Sequence, residues 1–176
     1  MQPHPNKVRP DGCITFIGMA AAGKTTVGRE LAMLLGWAHL DTDHVIEAAY
    51  GAKLQSLTDK LDREAFLDVE AHIVRNLTVK RAVLSTGGSI IYRQTAVDHL
   101  AALGPIIHLE TPMPVILARI ARKPNRGLVI APGQTIEDLY AERHALYQQA
   151  ATITFTGGNA PATLLAEEIA QWLCAS

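Results

Sequence analysis

Residues 18–25 read GMAAAGKT, and this segment constrains the fold more than any other part of the chain. It matches the pattern G-x-x-x-x-G-K-[ST], which binds phosphate where a buried strand turns into a helix. The apolar run CITFI at residues 13–17 predicts that strand. Residues 24–35 carry an apolar face of helical period, and Gly36 follows as a C-cap. The sequence therefore predicts a phosphate-binding loop between the first strand and the first helix.

The residue types in this loop suit a nucleoside triphosphate. Glycines allow turns that point several backbone N–H groups inward, which creates an anion site at the N-terminus of a helix. In such loops the lysine reaches the β- and γ-phosphates, and the following hydroxyl takes a place on Mg²⁺. The alternative is a glycine-rich turn that contains a lysine by chance. The predicted nucleotide-binding residues are Gly18, Ala20, Ala21, Ala22, Gly23, Lys24, Thr25 and Thr26.

Two carboxylates follow the second predicted strand, residues 37–40. Asp41 and Asp43 are two positions apart, so both can face the phosphate site from the end of a strand. One can support Mg²⁺, usually through water, and the other can accept a proton from an attacking hydroxyl. The alternative is an aspartate-rich turn that caps the next helix. Beside a phosphate-binding loop, the catalytic interpretation is favoured.

The rest of the chain alternates short apolar strands with helices. Further strands are predicted at residues 82–85, 105–109 and 152–155, and helices at residues 46–50, 63–79, 135–149 and 161–173. This alternation is typical of βαβ units and a parallel sheet. Thr135 and Asp138 have the spacing of a capping pair at the start of one helix. We expect a flexible N-terminal arm at residues 1–12 and a single α/β domain at residues 13–176.

Composition excludes several functional classes. The net charge of -1 and the 5% aromatic content argue against a nucleic-acid partner, which needs a basic face and stacking rings. The two cysteines, Cys13 and Cys174, lie at opposite ends of the chain, without metal-ligand spacing. The first twelve residues have no apolar signal region, and no apolar run approaches the roughly 18 residues of a membrane span. We therefore expect a cytoplasmic protein without a membrane partner.

Several segments, taken together in their order and spacing, resemble the shikimate kinase family. The similarity runs over residues 13–173, and its segments are GMAAAGKTTVGRELAMLLGW, LDTDHVIE, STGGS, RGL and RHALYQQA. This resemblance implies a three-layer P-loop kinase fold, with a five-stranded parallel sheet flanked by helices and a mobile lid at about residues 122–134. It also implies a cytoplasmic enzyme of amino-acid biosynthesis, which we expect to be a monomer. Its reaction would be transfer of the γ-phosphoryl of Mg·ATP to the 3-hydroxyl of shikimate.

The resemblance also implies roles for residues on both sides of the site. Asp41 and Thr25 match the metal-supporting pair, and Asp43 matches the carboxylate that contacts the hydroxyls of the acceptor. Arg126 corresponds to a lid arginine at the transferring phosphoryl, and Arg119 to one near the adenine. Lys24, Asp43 and Arg126 are therefore the expected catalytic residues. The remaining expected acceptor-binding residues are Gly87 and Gly88, whose backbone approaches the substrate, and Arg143, which holds its carboxylate.

The departures from the family pattern lie mainly on the acceptor side. The family motif F-R-x-x-E is FLDVE here, with Leu67 at the arginine position, and Ser89 replaces the third glycine of GGG. A charge-assisted hydrogen bond contributes roughly 1.5–3 kcal/mol, so its loss matters for binding an acid. Ala21, where the family often has glycine in the loop, is a milder change, and Gly127 in place of the family's proline is expected to make the lid looser.

Several alternatives follow from these departures. Arg63 or Arg93 can replace the missing cation from a neighbouring position. Another small hydroxy acid, such as homoserine, can be the acceptor, because its ammonium suits a pocket without a second arginine. Alternatives of other classes are a degenerate ligand-binding sensor and a nucleotide-hydrolysing switch protein, although the chain carries no output module.

Overall fold

A computed structural model describes residues 11–122, 130–131 and 133–175. Most of the predicted arm, residues 1–12, and most of the predicted lid, residues 122–134, lie outside these ranges, as does Arg126. The arm, the lid and the role of Arg126 therefore stay predictions.

The described chain forms one five-stranded sheet in which every neighbouring pair is parallel. The strand order is β2-β3-β1-β4-β5, and the strands are β1 (Ile14–Ile17), β2 (Ala38–Asp41), β3 (Ala82–Ser85), β4 (Ile106–Glu110) and β5 (Ile153–Thr156). The predicted parallel sheet is confirmed. The second strand is one residue further along than predicted and includes Asp41, because Asp41 pairs with Ser85 at the end of β3.

Helices connect the strands. They are α1 (Lys24–Leu35), α2 (Thr42–Tyr50), α3 (Leu54–Lys60), α4 (Arg63–Arg75), α5 (Gln94–Leu103), α6 (Met113–Arg122), α7 (Ile136–Ala150) and α8 (Ala162–Cys174), with a 3₁₀ turn at Ile90–Tyr92. The sequence did not predict α3 or α5. The predicted helix at residues 63–79 ends four residues early, at Arg75, where the Asn76 side chain donates to the backbone carbonyl of His72 (2.7 Å).

Both faces of the sheet are covered, which gives the predicted three layers. Alternate strand residues point to opposite faces, so β1 sends Ile14 and Phe16 to one face and Ile17 to the other. The first face packs against the apolar sides of α1 and α8. The second packs against residues of α4, α5, α6 and α7. Burial on both faces explains why these parallel strands are nearly continuous apolar runs.

The strand order places a cleft at one edge of the sheet. β1 lies between β3 and β4, so the connections from β1 and β3 leave toward different sides of the sheet at their carboxyl ends. Such a switch point is where open α/β sheets bind ligands. Phe16 of β1 and Asp41 of β2 both pair with Ser85 of β3, which brings three strand ends level with one another.

Among the described residues, the helices are all too short or too polar to cross a membrane.

Candidate active site

A cavity of about 1050 Å³ opens at the carboxyl edge of the sheet. The loop at residues 18–25 forms one wall, and the ends of β2 and β3 form the floor. The lining includes most of the described site residues that the sequence predicted on both sides, among them Lys24, Thr25, Asp41, Asp43 and Arg143, while Gly18 lies outside it. The nucleotide-side and acceptor-side residues therefore share one cleft.

The phosphate-binding loop needs glycine at its two ends. Gly18 has φ 143°, and a Cβ there would lie 2.7 Å from the carbonyl oxygen of Leu109. Gly23 has φ 105° and directly precedes α1. Ala21 also has a positive φ, 64°, which an L-residue adopts only at a cost of roughly 1–2 kcal/mol. The loop therefore keeps a left-handed backbone conformation at Ala21, where the family pattern often has glycine.

Lys24 lies folded over this loop. Its Nζ donates to the carbonyl oxygens of Gly18 (2.7 Å) and Met19 (2.8 Å), and the side chain is buried. The ammonium is therefore held at the centre of the loop, where phosphate oxygens of a bound nucleotide can replace the carbonyls as its partners.

Asp41 serves two structural purposes at the end of β2. Its Oδ2 accepts a hydrogen bond from the Thr25 hydroxyl (2.8 Å), while its Oδ1 accepts from the backbone N–H of Asp43 (3.1 Å) as the N-cap of α2. The capping alternative is thus correct and coexists with contact to the phosphate loop. A hydroxyl beside a carboxylate is the type of oxygen donor that Mg²⁺ uses together with phosphates and water. The pair therefore fits a Mg²⁺ ion on a nucleotide.

Asp43 has an electrostatic environment that differs from that of Asp41. Burial, and secondarily the charge of Asp41, raise the pKa of Asp43 to about 6, although Lys24 opposes the shift. Its Oδ1 is buried and has no hydrogen-bond partner among the described residues. A buried oxygen without a partner is costly unless a ligand satisfies it. Asp43 can therefore accept a hydrogen bond from the hydroxyl of an acceptor.

Gly87 and Gly88 lie where side chains of other elements converge. A Cβ on Gly87 would collide with Glu70 and lie 3.0 Å from Oδ1 of Asp43. A Cβ on Gly88 would lie 3.0 Å from a guanidinium nitrogen of Arg143. Glycine at these two positions was expected to leave room for substrate, and it also leaves room for these protein groups.

Arg143 is buried, with only 1% of its surface exposed. Its Nε donates to the hydroxyl of Tyr92 (3.3 Å), and its guanidinium carbon lies 5.3 Å from the centre of the Tyr92 ring. Arg143 is therefore not an exposed charge on the surface of its helix. A buried guanidinium in the cavity wall suits recognition of a carboxylate.

Sequence reasoning missed Glu70 and its partnership with Ser89. Glu70 is 3% exposed, and its Oε2 accepts a short hydrogen bond from the Ser89 hydroxyl. Burial raises the pKa of Glu70 to about 7 and the charge of Asp43 adds to the rise, although the Ser89 hydrogen bond, Arg143 and Lys24 oppose it. The sequence carried one signal for the burial of Glu70. Glu70 follows Phe66 by one helical turn, so it lies on the same face of the helix as Phe66, which is buried.

Arg63 and Arg93 do not take the place of the missing cation. Arg93 is bonded to Asp68 (2.7 Å) and Glu64 (2.9 Å) on the protein surface. Arg63 stacks on the Tyr92 ring, with 4.6 Å between its guanidinium carbon and the ring centre. Both lie outside the cavity lining, although both are described residues.

Arg119 holds the outer side of the phosphate loop. Its guanidinium donates to the carbonyl oxygens of Ala21 (3.0 Å) and Ala22 (3.2 Å), and also to that of Gly158. Arg119, Gly158 and Ala160 line the same end of the cavity. This end is on the nucleotide side, and the contact of Arg119 with adenine stays a prediction.

Comparison with known proteins agrees with this geometry. The model of the shikimate kinase family matches residues 20–174. A shikimate kinase of Histophilus somni (strain 2336) is 38% identical over 160 residues, covering 89% of this chain and 91% of the relative. The structure of a shikimate kinase from Acinetobacter baumannii in complex with shikimate has a TM-score of 0.86 at 36% identity, covering 93% of both chains.

A gluconokinase from Sinorhizobium meliloti has a TM-score of 0.58 at 15% identity, and this likeness is one of fold alone. The match to the family model begins at residue 20, inside the phosphate loop, and includes Arg143, and the relatives extend over nearly the whole chain. The chain belongs to the shikimate kinase family.

Proposed function

We propose that this chain transfers the γ-phosphoryl group of ATP to a hydroxyl of shikimate. The observation that carries the proposal is the unpartnered Oδ1 of Asp43, buried in the same cavity as Lys24 and Arg143. A phosphate cradle alone also suits a hydrolase or a sensor. A buried carboxylate that still lacks a hydrogen-bond donor, opposite a buried arginine, supports an acceptor with a hydroxyl and a carboxylate.

Phosphoryl transfer depends on positioning and charge neutralisation, and different residues of the site supply these. The loop amides and Lys24 bind the phosphates of ATP, and Thr25 with Asp41 would hold Mg²⁺. When bound, Mg²⁺ neutralises charge on the transferring group. Asp43 orients the acceptor hydroxyl and takes its proton. Arg143 fixes the carboxylate end of the acceptor.

The roles of two arginines, the oligomeric state and the location are predicted from the sequence alone. Arg126 is expected to reach the transferring phosphoryl from the lid, and Arg119 to lie near the adenine. A monomer in the cytoplasm, without a nucleic-acid partner, likewise stays a prediction. The sensor and switch alternatives have no observation in their favour among the described residues.

The test compares Asp43→Asn with Asp98→Asn in an assay of ADP release from Mg·ATP with shikimate. Asp98 accepts a hydrogen bond from Gln94 on the exposed side of α5, so its variant is a matched control. General-base and orienting residues typically contribute 10²–10⁴-fold, and we expect kcat of Asp43→Asn to fall within that range. Asp98→Asn is expected to match the unmodified enzyme. Full turnover by Asp43→Asn would refute the role given to Asp43.

A further inference from the structure

Glu70 is a buried carboxyl group with few positive neighbours. The charged groups that act on it are Asp43, which is also acidic, and the cations Arg143 and Lys24. Lys24 is bonded to carbonyl oxygens of the phosphate loop, and Arg143 lines the cavity as the guanidinium that we assign to the carboxylate of the acceptor. Leu67, at the family's arginine position, is 1% exposed and contributes no charge. Among the described residues, the charged groups that act on Glu70 are therefore one further carboxylate and two cations that already have other roles.

The free side of Glu70 faces the acceptor. Its Oε2 is bonded to Ser89, whereas its Oε1 lies next to the α-carbon of Gly87. Oδ1 of Asp43, which lacks a partner, lies near that same α-carbon. Two carboxylate oxygens thus flank one backbone position in the cavity wall, and Arg143 lies beside the next residue, Gly88.

This arrangement matches the charges of an amino acid better than those of a simple acid. An acceptor with a carboxylate and neutral hydroxyls pairs with Arg143 and leaves Glu70 without a cation. A buried carboxylate is costly unless it is paired or protonated. An ammonium group on the acceptor would supply the cation that Leu67 does not.

We propose that the same cleft also phosphorylates small hydroxy amino acids, with their ammonium on Glu70, their carboxylate on Arg143 and their hydroxyl on Asp43. This further activity rests on the proposed phosphotransfer from ATP. The acceptor oxygen forms a bond to the γ-phosphorus, and the bond from the β–γ bridging oxygen to that phosphorus breaks. The electron pair leaves with ADP, and the hydroxyl proton passes to Asp43 and then to water. The products are ADP and an amino acid phosphoester.

The first test uses two acceptors that differ only in the ammonium group. L-Homoserine and 4-hydroxybutyrate have the same carbon chain, carboxylate and terminal hydroxyl. A charge-assisted hydrogen bond of roughly 1.5–3 kcal/mol corresponds to about 10–100-fold, so kcat/KM for homoserine is expected to exceed that for 4-hydroxybutyrate by about this factor. Equal values, or no turnover of homoserine, would overturn the proposal. Shikimate is assayed in parallel, so a failure of the proposed function is seen separately.

The second test replaces Glu70 by its neutral isostere. Glu70→Gln keeps an oxygen that can accept from Ser89 and removes the negative charge, and Glu168→Gln on the exposed side of α8 is the control. We expect Glu70→Gln to lower kcat/KM for homoserine by about 10–100-fold, and to lower that for shikimate by a factor about tenfold smaller. An equal loss on both acceptors would assign Glu70 a structural role and overturn the proposal. If this variant does not fold, the comparison of the two acceptors still decides.

Discussion

At the scale of single residues, Ala21 shows how the phosphate loop tolerates a departure from its family pattern. Its φ of 64° lies in the left-handed region, where a Cβ is unfavourable. The carbonyl oxygen of Ala21 accepts from Arg119 (3.0 Å), and that hydrogen bond helps to hold the strained turn. Backbone strain in this loop therefore lowers the stability of the folded protein.

We predict that Ala21→Gly raises the free energy of unfolding by about 1 kcal/mol, because glycine adopts this φ without the Cβ clash. Chemical denaturation measures the change. Ala22→Gly is the control, since Ala22 is buried and lacks a positive φ, so its variant is expected to be destabilised. A destabilised Ala21→Gly would contradict the backbone conformation described here.

A second prediction at the residue scale concerns Glu70 and the pH dependence of the free energy of unfolding. Its pKa of about 7 in the folded protein is above the ordinary 4.5, so the folded state holds the proton more tightly than the unfolded state. The stability that this proton contributes is complete below pH 4.5 and is lost as pH rises through about 7. Burial is the largest cause of this raised pKa and the charge of Asp43 adds to it, whereas Ser89, Arg143 and Lys24 oppose it.

Glu70→Gln is therefore expected to be more stable than the unmodified protein at pH 8, by about 1–3 kcal/mol, with a much smaller difference at pH 5. Thermal unfolding at both pH values measures the effect. The same advantage at both pH values would show that ionisation of Glu70 is not its cause.

At the scale of elements, α7 connects a local sequence signal to the site. The predicted pairing of Thr135 and Asp138 is confirmed as a capping box in which each side chain accepts from the backbone N–H of the other residue. Two turns later, the same helix carries Arg143 into the cavity wall. The capping box therefore fixes where α7 begins, and with it the position of Arg143 in the cavity wall.

We predict that Thr135→Ala lowers the free energy of unfolding by about 1 kcal/mol, the usual value for loss of an N-cap hydroxyl. Thr58→Ala in α3 removes an exposed hydroxyl that bonds only within its own helix, and it serves as the control. Urea denaturation of the two variants gives the comparison. Equal effects would argue against a specific contribution from the capping box.

Local sequence patterns were sufficient to predict the strands and α1, but not the burial of Glu70 and Arg143. The strands were predicted because buried parallel strands are short apolar runs between polar turns, and α1 because its apolar period and Gly36 are local signals. Glu70 was missed because its burial depends on Ser89 and Gly87, which come from a distant part of the chain. The burial of Arg143 likewise depends on Tyr92 and could not be derived from the composition of α7.

At the scale of the whole molecule, the strand order assembles the site. Because β1 lies between β3 and β4, the loop after β1, the carboxylates after β2 and the glycines after β3 meet at one edge of the sheet. The alternation of strands and helices predicted the parallel sheet, while the strand order was not predicted from the sequence. The central claim is that this edge transfers phosphoryl groups from ATP.

The most direct test of that claim is ³¹P NMR of the full chain with Mg·ATP and shikimate. We predict a new phosphomonoester signal that grows with ADP in equal amounts and requires the acceptor. Lys24→Met, which removes the ammonium held at Gly18 and Met19, is expected to slow this signal by at least about 10²-fold. If ADP appears with inorganic phosphate alone, or if the signal is unaffected by Lys24→Met, this edge of the sheet does not transfer the phosphoryl group to the acceptor.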